Sequence, residues 1–263
     1  MGASTTLRPM GVGDIFDEVL RLYRAHGLTY VMIALIPIAP FAAVGAPLSA
    51  FARSTMESGS QDIALVFALI GASLFWSALF WGALIPLSTA ALIESLSASY
   101  FGERLGVLES YRRALPRWGA LVVTQVLAGL LIFAGFVVFV VPGVYLAAVF
   151  MLVSPVVVLE SMGLADALRR SKALMTKNVS KGLVLLVAAG LLTSVSGFAL
   201  TGMLTLLPIS PVLTEFLSGL FTAITLPVST GVLVLLYYDL RVRKEGLDLE
   251  RLAQSLATQP AAP

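Results

Sequence analysis

The chain has 263 residues, 58% hydrophobic and only 12% charged, with a mean hydropathy of +0.94. Soluble domains carry about 25% charged residues, and the apolar runs here are too long for one or two soluble cores. A formal net charge of +2 is too small to point to nucleic acid. The lack of cysteine excludes disulfides, thiolate metal sites and cysteine nucleophiles, and the single histidine, His26, leaves little for imidazole chemistry.

The first 27 residues are polar and charged, without the apolar core and small-residue cleavage site of a signal peptide. The opening MGASTT matches the loose N-myristoylation pattern, from which a protein with several spans gains nothing. Six stretches are long and apolar enough to span a bilayer: 28–50, 63–93, 119–140, 143–159, 182–206 and 212–238. None has an interior Lys or Arg, each of which would cost roughly 3 kcal/mol. The stretch 63–93 runs about 46 Å as a helix, beyond a core of about 30 Å. It must therefore tilt, kink near Pro86 or run past the surface. Pro142-Gly143 predicts a tight hairpin between the third and fourth stretches, and LPISP (Pro208, Pro211) another between the fifth and sixth. The expected architecture is an all-α membrane protein, one six-span domain over 1–256 with a disordered tail at 257–263.

Sixteen of the seventeen basic residues fall on one side of this topology, and Arg53 alone on the other. The positive-inside rule places that side, with both termini, in the cytoplasm. Tyr30, Tyr100, Trp118, Tyr237 and Tyr238 fall at the same ends, where an aromatic belt is expected.

Three segments on that side begin alike: MGVGD from Met10, LGVLE from Leu105 and MGLAD from Met162. Each precedes a short amphipathic stretch and then a span. In the first, Ile15, Phe16, Val19, Leu20 and Tyr23 form an apolar stripe, and in the third Leu164, Leu168, Ser171 and Met175 form a weaker one. Asp14, Glu109 and Asp166 fall in the first turn, where the helix dipole favours negative charge. Pro86-Leu87-Ser88-Thr89 echoes Pro227-Val228-Ser229-Thr230, and span four has Ser154-Pro155 at the matching place. Together these suggest three parallel units of interfacial helix plus transmembrane hairpin.

Glu94, Glu160 and Asp239 end the even spans. They suggest either a cation-binding ring or, more simply, interfacial carboxylates paired with Arg113, Arg170 or Arg241. Glu215 reads as an interfacial acid at the other side. The spans carry no interior charge of the kind that marks ion pathways. Their hydroxyls, with Gly190-x-x-x-Ser194 and Gly219-x-x-x-Ala223, read as packing features. Asn178-Val179-Ser180 is a glycosylation sequon on the wrong side of the membrane to be used.

The segments LRPMGVGDIFDEVLRLYR, PGVYLAAVFMLVSPVVVLESMGLADALRRSKALM and LLYYDLRVRKEGLDLE resemble the membrane domain found with glycerophosphoryl diester phosphodiesterases, which occurs widely in bacteria as a stand-alone six-span protein. The resemblance covers about residues 7–250 and implies a fold and a bacterial inner-membrane location. It does not carry the phosphodiesterase activity, because a catalytic barrel needs paired histidines and metal-binding carboxylates. No catalytic residue, metal site or cofactor is expected.

The leading expectation is a non-enzymatic protein that engages membrane lipids, or a membrane or cytoplasmic protein partner, and no nucleic acid. The residues expected to do so are Arg21, Arg24, Arg112, Arg113, Arg169, Arg170, Lys172, Arg241, Arg243 and Lys244. The alternative is a transporter or lipid translocator with a pathway between the hairpins, lined by Pro86, Ser88, Thr89, Pro155, Pro227, Ser229 and Thr230.

Overall fold

The computed structural model describes residues 9–58 and 62–246, without the side chains of 211 and 215. The MGASTT opening, Arg8, the Glu215 side chain, the end of the LLYYDLRVRKEGLDLE segment, Arg251 and the 257–263 tail lie outside the described residues. Within them the helices are α1 (Val12–Glu57), α2 (Ile63–Leu79), α3 (Ile85–Tyr100), α4 (Val107–Val138), α5 (Val140–Phe150), α6 (Val153–Glu160), α7 (Leu164–Met175), α8 (Val179–Thr205) and α9 (Pro211–Glu245). Six helical stretches are long and apolar enough to cross a membrane: α1, α2 with α3, α4, α5 with α6, α8 and α9. Only the helix can do so as a single segment, because it satisfies its own backbone polar groups.

The three look-alike segments start their helices in the same way. Gly11, Gly106 and Gly163 are the capping residues of α1, α4 and α7, all extended (φ/ψ −75°/175°, −72°/163° and −75°/174°). Each glycine carbonyl accepts the first helical bond, from Ile15, Ser110 and Ala167 at 3.2, 3.0 and 2.8 Å. Asp14, Glu109 and Asp166 stand in the first turns, where they meet the positive end of the dipole. Beyond that point the helices differ. α1 bends at His26 (φ −134°, ψ 15°), α4 runs on unbroken into its span, and α7 stops. Asn178, which starts α8, has nearly the backbone of His26 (φ −122°, ψ 14°), and each residue stands fifteen positions beyond its cap glycine (11 to 26, 163 to 178).

Two interruptions follow from proline. Between α2 and α3 the turn widens to a π-helical stretch, Phe80–Leu84, with the Ile85 N–H bonding Phe80 O. Pro86 follows at once; it has no N–H, and its ring excludes a carbonyl four residues back. The hairpin between spans three and four breaks at Phe139 (φ −171°, ψ 159°), not at Pro142-Gly143 as expected. Both of those residues lie in the first turn of α5, where a missing N–H leaves no bond unmade. Gly143 serves close approach instead: a Cβ there would stand 2.4 Å from Phe136 Cγ. At LPISP, α8 ends at Thr205 and Ser210 Oγ caps α9 by accepting the Leu213 N–H (3.3 Å), as the sequence suggests.

The core lies at the basic end of the bundle. There α3, α6 and the second half of α9 meet pairwise, burying Ala90–Ile93, Leu96, Val156–Val158 and Val234–Tyr237. The start of α1 covers them with Ile15, Val19 and Leu22, and α7 with Ala167, Leu174 and Met175. Of the expected stripes, Ile15, Val19, Ser171 and Met175 are buried and Phe16, Tyr23 and Leu168 pack on the core, whereas Leu20 and Leu164 are exposed. The expected aromatic belt is also corrected. Tyr30, Tyr100, Tyr237 and Tyr238 are buried, with Tyr100 stacked on Tyr238 at 5.5 Å, because their helix faces turn to the core. Towards the other end the helices part. α2 buries only Leu69, and Gly190 of α8 has no neighbour, while Gly219 of α9 packs on Ala42 of α1. The exposed side chains there, including Phe67, Phe75, Phe133 and Phe198, form an apolar surface suited to lipid.

Replacing Gly143 with valine will lower stability by about 1–3 kcal/mol through overpacking on Phe136. Reversible unfolding in mixed detergent micelles reads this, and unchanged stability would mean that the α4–α5 hairpin is not closed as described.

Candidate functional site at the basic end

Of the three acids that end the even spans, the first two are held by the element that follows, and the last by Met10, by the foot of α8 and by its own helix. Glu94 of α3 receives Arg117 Nη1 of α4 at 2.5 Å. Glu160 of α6 receives Arg170 Nε of α7 at 2.8 Å and the Tyr237 hydroxyl at 2.8 Å. Asp239 of α9, 0% exposed, receives the Met10 N–H at 2.6 Å, Lys181 Nζ at 2.5 Å and Arg243 Nε at 3.0 Å. Lys181 Nζ and Arg243 Nη2 also donate to Met10 O, at 2.6 and 2.8 Å. Of the expected pairings, Glu160 with Arg170 is present. Glu94 pairs with Arg117 in place of Arg113, and Asp239 with Lys181 and Arg243 in place of Arg241. The reason is helical phase: Arg113 bonds Glu109 one turn back (3.2 Å), and Arg241 turns to Glu245 (3.0 Å) and to the Tyr237 hydroxyl (3.2 Å). Asp239 is fully buried within the protein, on a helix that continues past it to Glu245.

This network divides the ten basic residues singled out in the sequence. Arg170 lies between Glu160 and Glu245, and its hydrogen bond to Glu245 together with Glu160 raises its pKa above the ordinary arginine value despite desolvation. Arg241 and Arg243 are engaged as above. Lys244 Nζ donates to Ala173 O and Thr176 O, both at 2.6 Å, capping the carbonyl end of α7 where a cation is favoured. Arg21 pairs with Glu18 (Nε 2.8 Å), and Arg113 with Glu109. Arg24, Arg112, Arg169 and Lys172 are exposed. Arg169 approaches Asp166 only at 4.0 Å, and Arg24, Arg112 and Lys172 have no side-chain partner among the described residues. Reading the sequence alone misses Arg117 and Lys181 as network members. The available signal was their place at the feet of spans three and five, each beside a buried acid's helix.

The hydroxyl and proline residues expected along a pathway lie mostly in packed surroundings. Pro86, Ser88, Thr89 and Thr230 are buried, Ser88 stands 3.5 Å from the Tyr111 hydroxyl, and Pro155 lies buried in the first turn of α6. Ser229 and Thr230 bond back to Leu226 O at 3.0 and 2.9 Å, just before Pro227. Gln125 of α4 donates to Ser154 of α6 at 2.9 Å, one polar bond between spans. A cavity of about 290 Å³ opens where the three even spans end, among Glu94, Ser97, Arg113, Tyr237, Tyr238 and Arg241. Another, of about 600 Å³, lies between α8 and α9 in the loosely packed half, with Thr193, Ser194, Thr201, Ser218 and Thr225 on its walls. Among the described residues no three His, Asp or Glu side chains come together as a metal site requires.

Against known proteins, no family model matches the chain, and no curated protein or solved structure matches it either.

Asp239→Asn will strip the buried partner from Lys181 and Arg243 and cost about 3–5 kcal/mol. Arg113→Ala, which removes an exposed pair within one helix, will change stability by less than about 0.5 kcal/mol. Equal effects of the two in unfolding titrations would contradict the network.

Proposed function

We propose that this is a non-enzymatic integral membrane protein of a bacterial inner membrane, with both termini cytoplasmic. In this reading it engages anionic lipid, or a membrane partner, through the amphipathic helices and exposed cations at its basic end. The observation that carries this is the division of the basic residues. Topology needs positive charge on that side, and the internal network needs Arg117, Arg170, Lys181, Arg243 and Lys244. The network leaves over Arg24, Arg112 and Lys172, unpaired among the described residues on helices whose other faces are buried and so free to meet a surface beyond their topological role. Each cation near an anionic surface contributes about 1 kcal/mol of attraction. The reading of three parallel units draws on the shared glycine caps and on the matched backbones of His26 and Asn178.

A lipid translocator is the second reading, supported by the hydroxyl-lined cavity between α8 and α9. Its pathway would have to open through the packed Ser88, Thr89 and Thr230 to reach the basic end.

Orientation is directly measurable, because the native chain has no cysteine. In intact cells Ser58→Cys will react with a membrane-impermeant maleimide and Glu103→Cys will react only after permeabilisation; the reverse pattern would invert the topology. For function, native mass spectrometry of the protein in mild detergent will find anionic lipid enriched over zwitterionic lipid. Joint replacement of Arg112, Arg169 and Lys172 by glutamine will reduce that enrichment several-fold. Unchanged enrichment and unchanged partner pull-down would remove the proposal, and flux in liposomes lost on filling the α8–α9 cavity would replace it with translocation.

A further inference from the structure

The bend in α1 at His26 opens a cleft of about 380 Å³ between that bend, the end of α3 and the end of the loop before α4. Its walls include Arg24, His26, Thr29, Ser95, Ser99 and Arg104, and none of its lining residues is acidic. Arg24 and Arg104 are exposed and have no partner among the described residues. Deeper in, Ser95 is 1% exposed, and its hydroxyl is buried without a hydrogen-bond partner, as is His26 Nδ1. Two orphaned polar atoms in one cleft are uncommon, since buried polar groups are nearly always paired. Elsewhere at this end, among the described residues, the buried carboxylates Glu94 and Asp239 have their donors.

We infer that this cleft binds a phosphate group, held between Arg24 and Arg104 and hydrogen-bonded in its depth by Ser95 and His26. Two cations at the mouth and neutral donors within suit a group carrying negative charge on several oxygens, and charge-assisted bonds of this kind are the strong ones. The surroundings favour a phospholipid headgroup as its bearer. Leu28, Met32 and Ile36 continue α1 from the cleft at one-turn spacing, and all three are exposed. They form an apolar track of helical period along which acyl chains can lie. The inference rests on the lipid-engagement reading, and names for it one site distinct from the broad surface of Arg112, Arg169 and Lys172.

The test uses the full chain, delipidated by exchange into neutral detergent and supplied separately with phosphatidylglycerol, diacylglycerol of the same chains, and inorganic phosphate. Native mass spectrometry will show one phosphatidylglycerol retained per protein and no retained diacylglycerol. Arg24→Gln with Arg104→Gln will reduce retention about tenfold or more, as the loss of charged hydrogen bonds implies. Ser95→Ala will also reduce it, yet will leave the unliganded protein at least as heat-stable as the parent, since it deletes an unpaired buried hydroxyl. Arg112→Gln with Arg169→Gln will leave this single retained lipid in place. If inorganic phosphate raises the melting temperature of the parent but not of Ser95→Ala, and phosphatidylglycerol adds nothing, the phosphate site stands with a soluble ester as its source. Retention unchanged in both cleft variants overturns the site. Retention lost only with Arg112 and Arg169 also overturns it while leaving the wider lipid reading intact. A parent protein that holds neither lipid nor phosphate removes both.

Discussion

A carboxylate with no access to solvent, Asp239, sets the terms for the basic end of this bundle. Burying such a charge is costly by several kcal/mol unless donors surround it, and here a backbone N–H, an ammonium and a guanidinium do so. These donors come from Met10, just ahead of the α1 cap, from the foot of α8 and from α9 itself. Met10 is thereby fixed to α9 across 229 residues. The consequence is mechanical as well as electrostatic. With Met10 held, the first turns of α1 lie over α9, and Val19 seats against Gly231, where a Cβ would come within 3.1 Å. The amphipathic segment is thereby tied, at Met10 and Val19, to the core it covers.

Glu94 and Glu160 repeat the arrangement with their own donors on α4 and α7, so the three even spans carry their ionic clamps, among the described residues, at one end. Elsewhere the hydroxyls bond within their own helices: Thr193 to Ala189 O, Ser218 to Thr214 O and Thr222 to Ser218 O, at 2.9–3.1 Å. Such bonds satisfy the side chain without joining helices, so little beyond van der Waals contact holds the other half together. That explains why one molecule has a dense, ionic end and a loose, apolar one.

How much of this was readable in the sequence varies with the physics of each feature. The six spans and the proline turn before α9 follow from length and composition, which act locally and are hard to override in lipid. The helix starts at Gly11, Gly106 and Gly163 were visible as a repeated motif with an acid three residues on. The pairing of the acids was not, because a difference of one helical turn decides between Arg113 and Arg117, and nothing local fixes which faces the core. The tyrosines misled for a related reason: position along the chain gives their depth but not the direction of the ring. The hairpin at Phe139 was misplaced because proline and glycine were read as turn formers, whereas proline is equally at home in the first turn of a helix and Gly143 is needed for contact with Phe136.

The cleft at His26 is where local and tertiary constraints disagree. α4 passes from its amphipathic part into its span as one helix, whereas α7 and α8 separate at Asn178 with Lys177 in a left-handed conformation (φ 70°). α1 takes a middle course, bending through a single residue without ending. Full continuity would carry the helix past α3 with no gap, and a full break would require a loop to satisfy the freed backbone groups. The bend avoids both and leaves a space walled by the end of α3. Its inner wall is polar at Ser95 and its mouth basic at Arg24 and Arg104, although apolar side chains would pack there at lower desolvation cost. A polar wall with unpaired donors is stable only if something polar fills it, so the composition of that space argues for an occupant more strongly than its shape does.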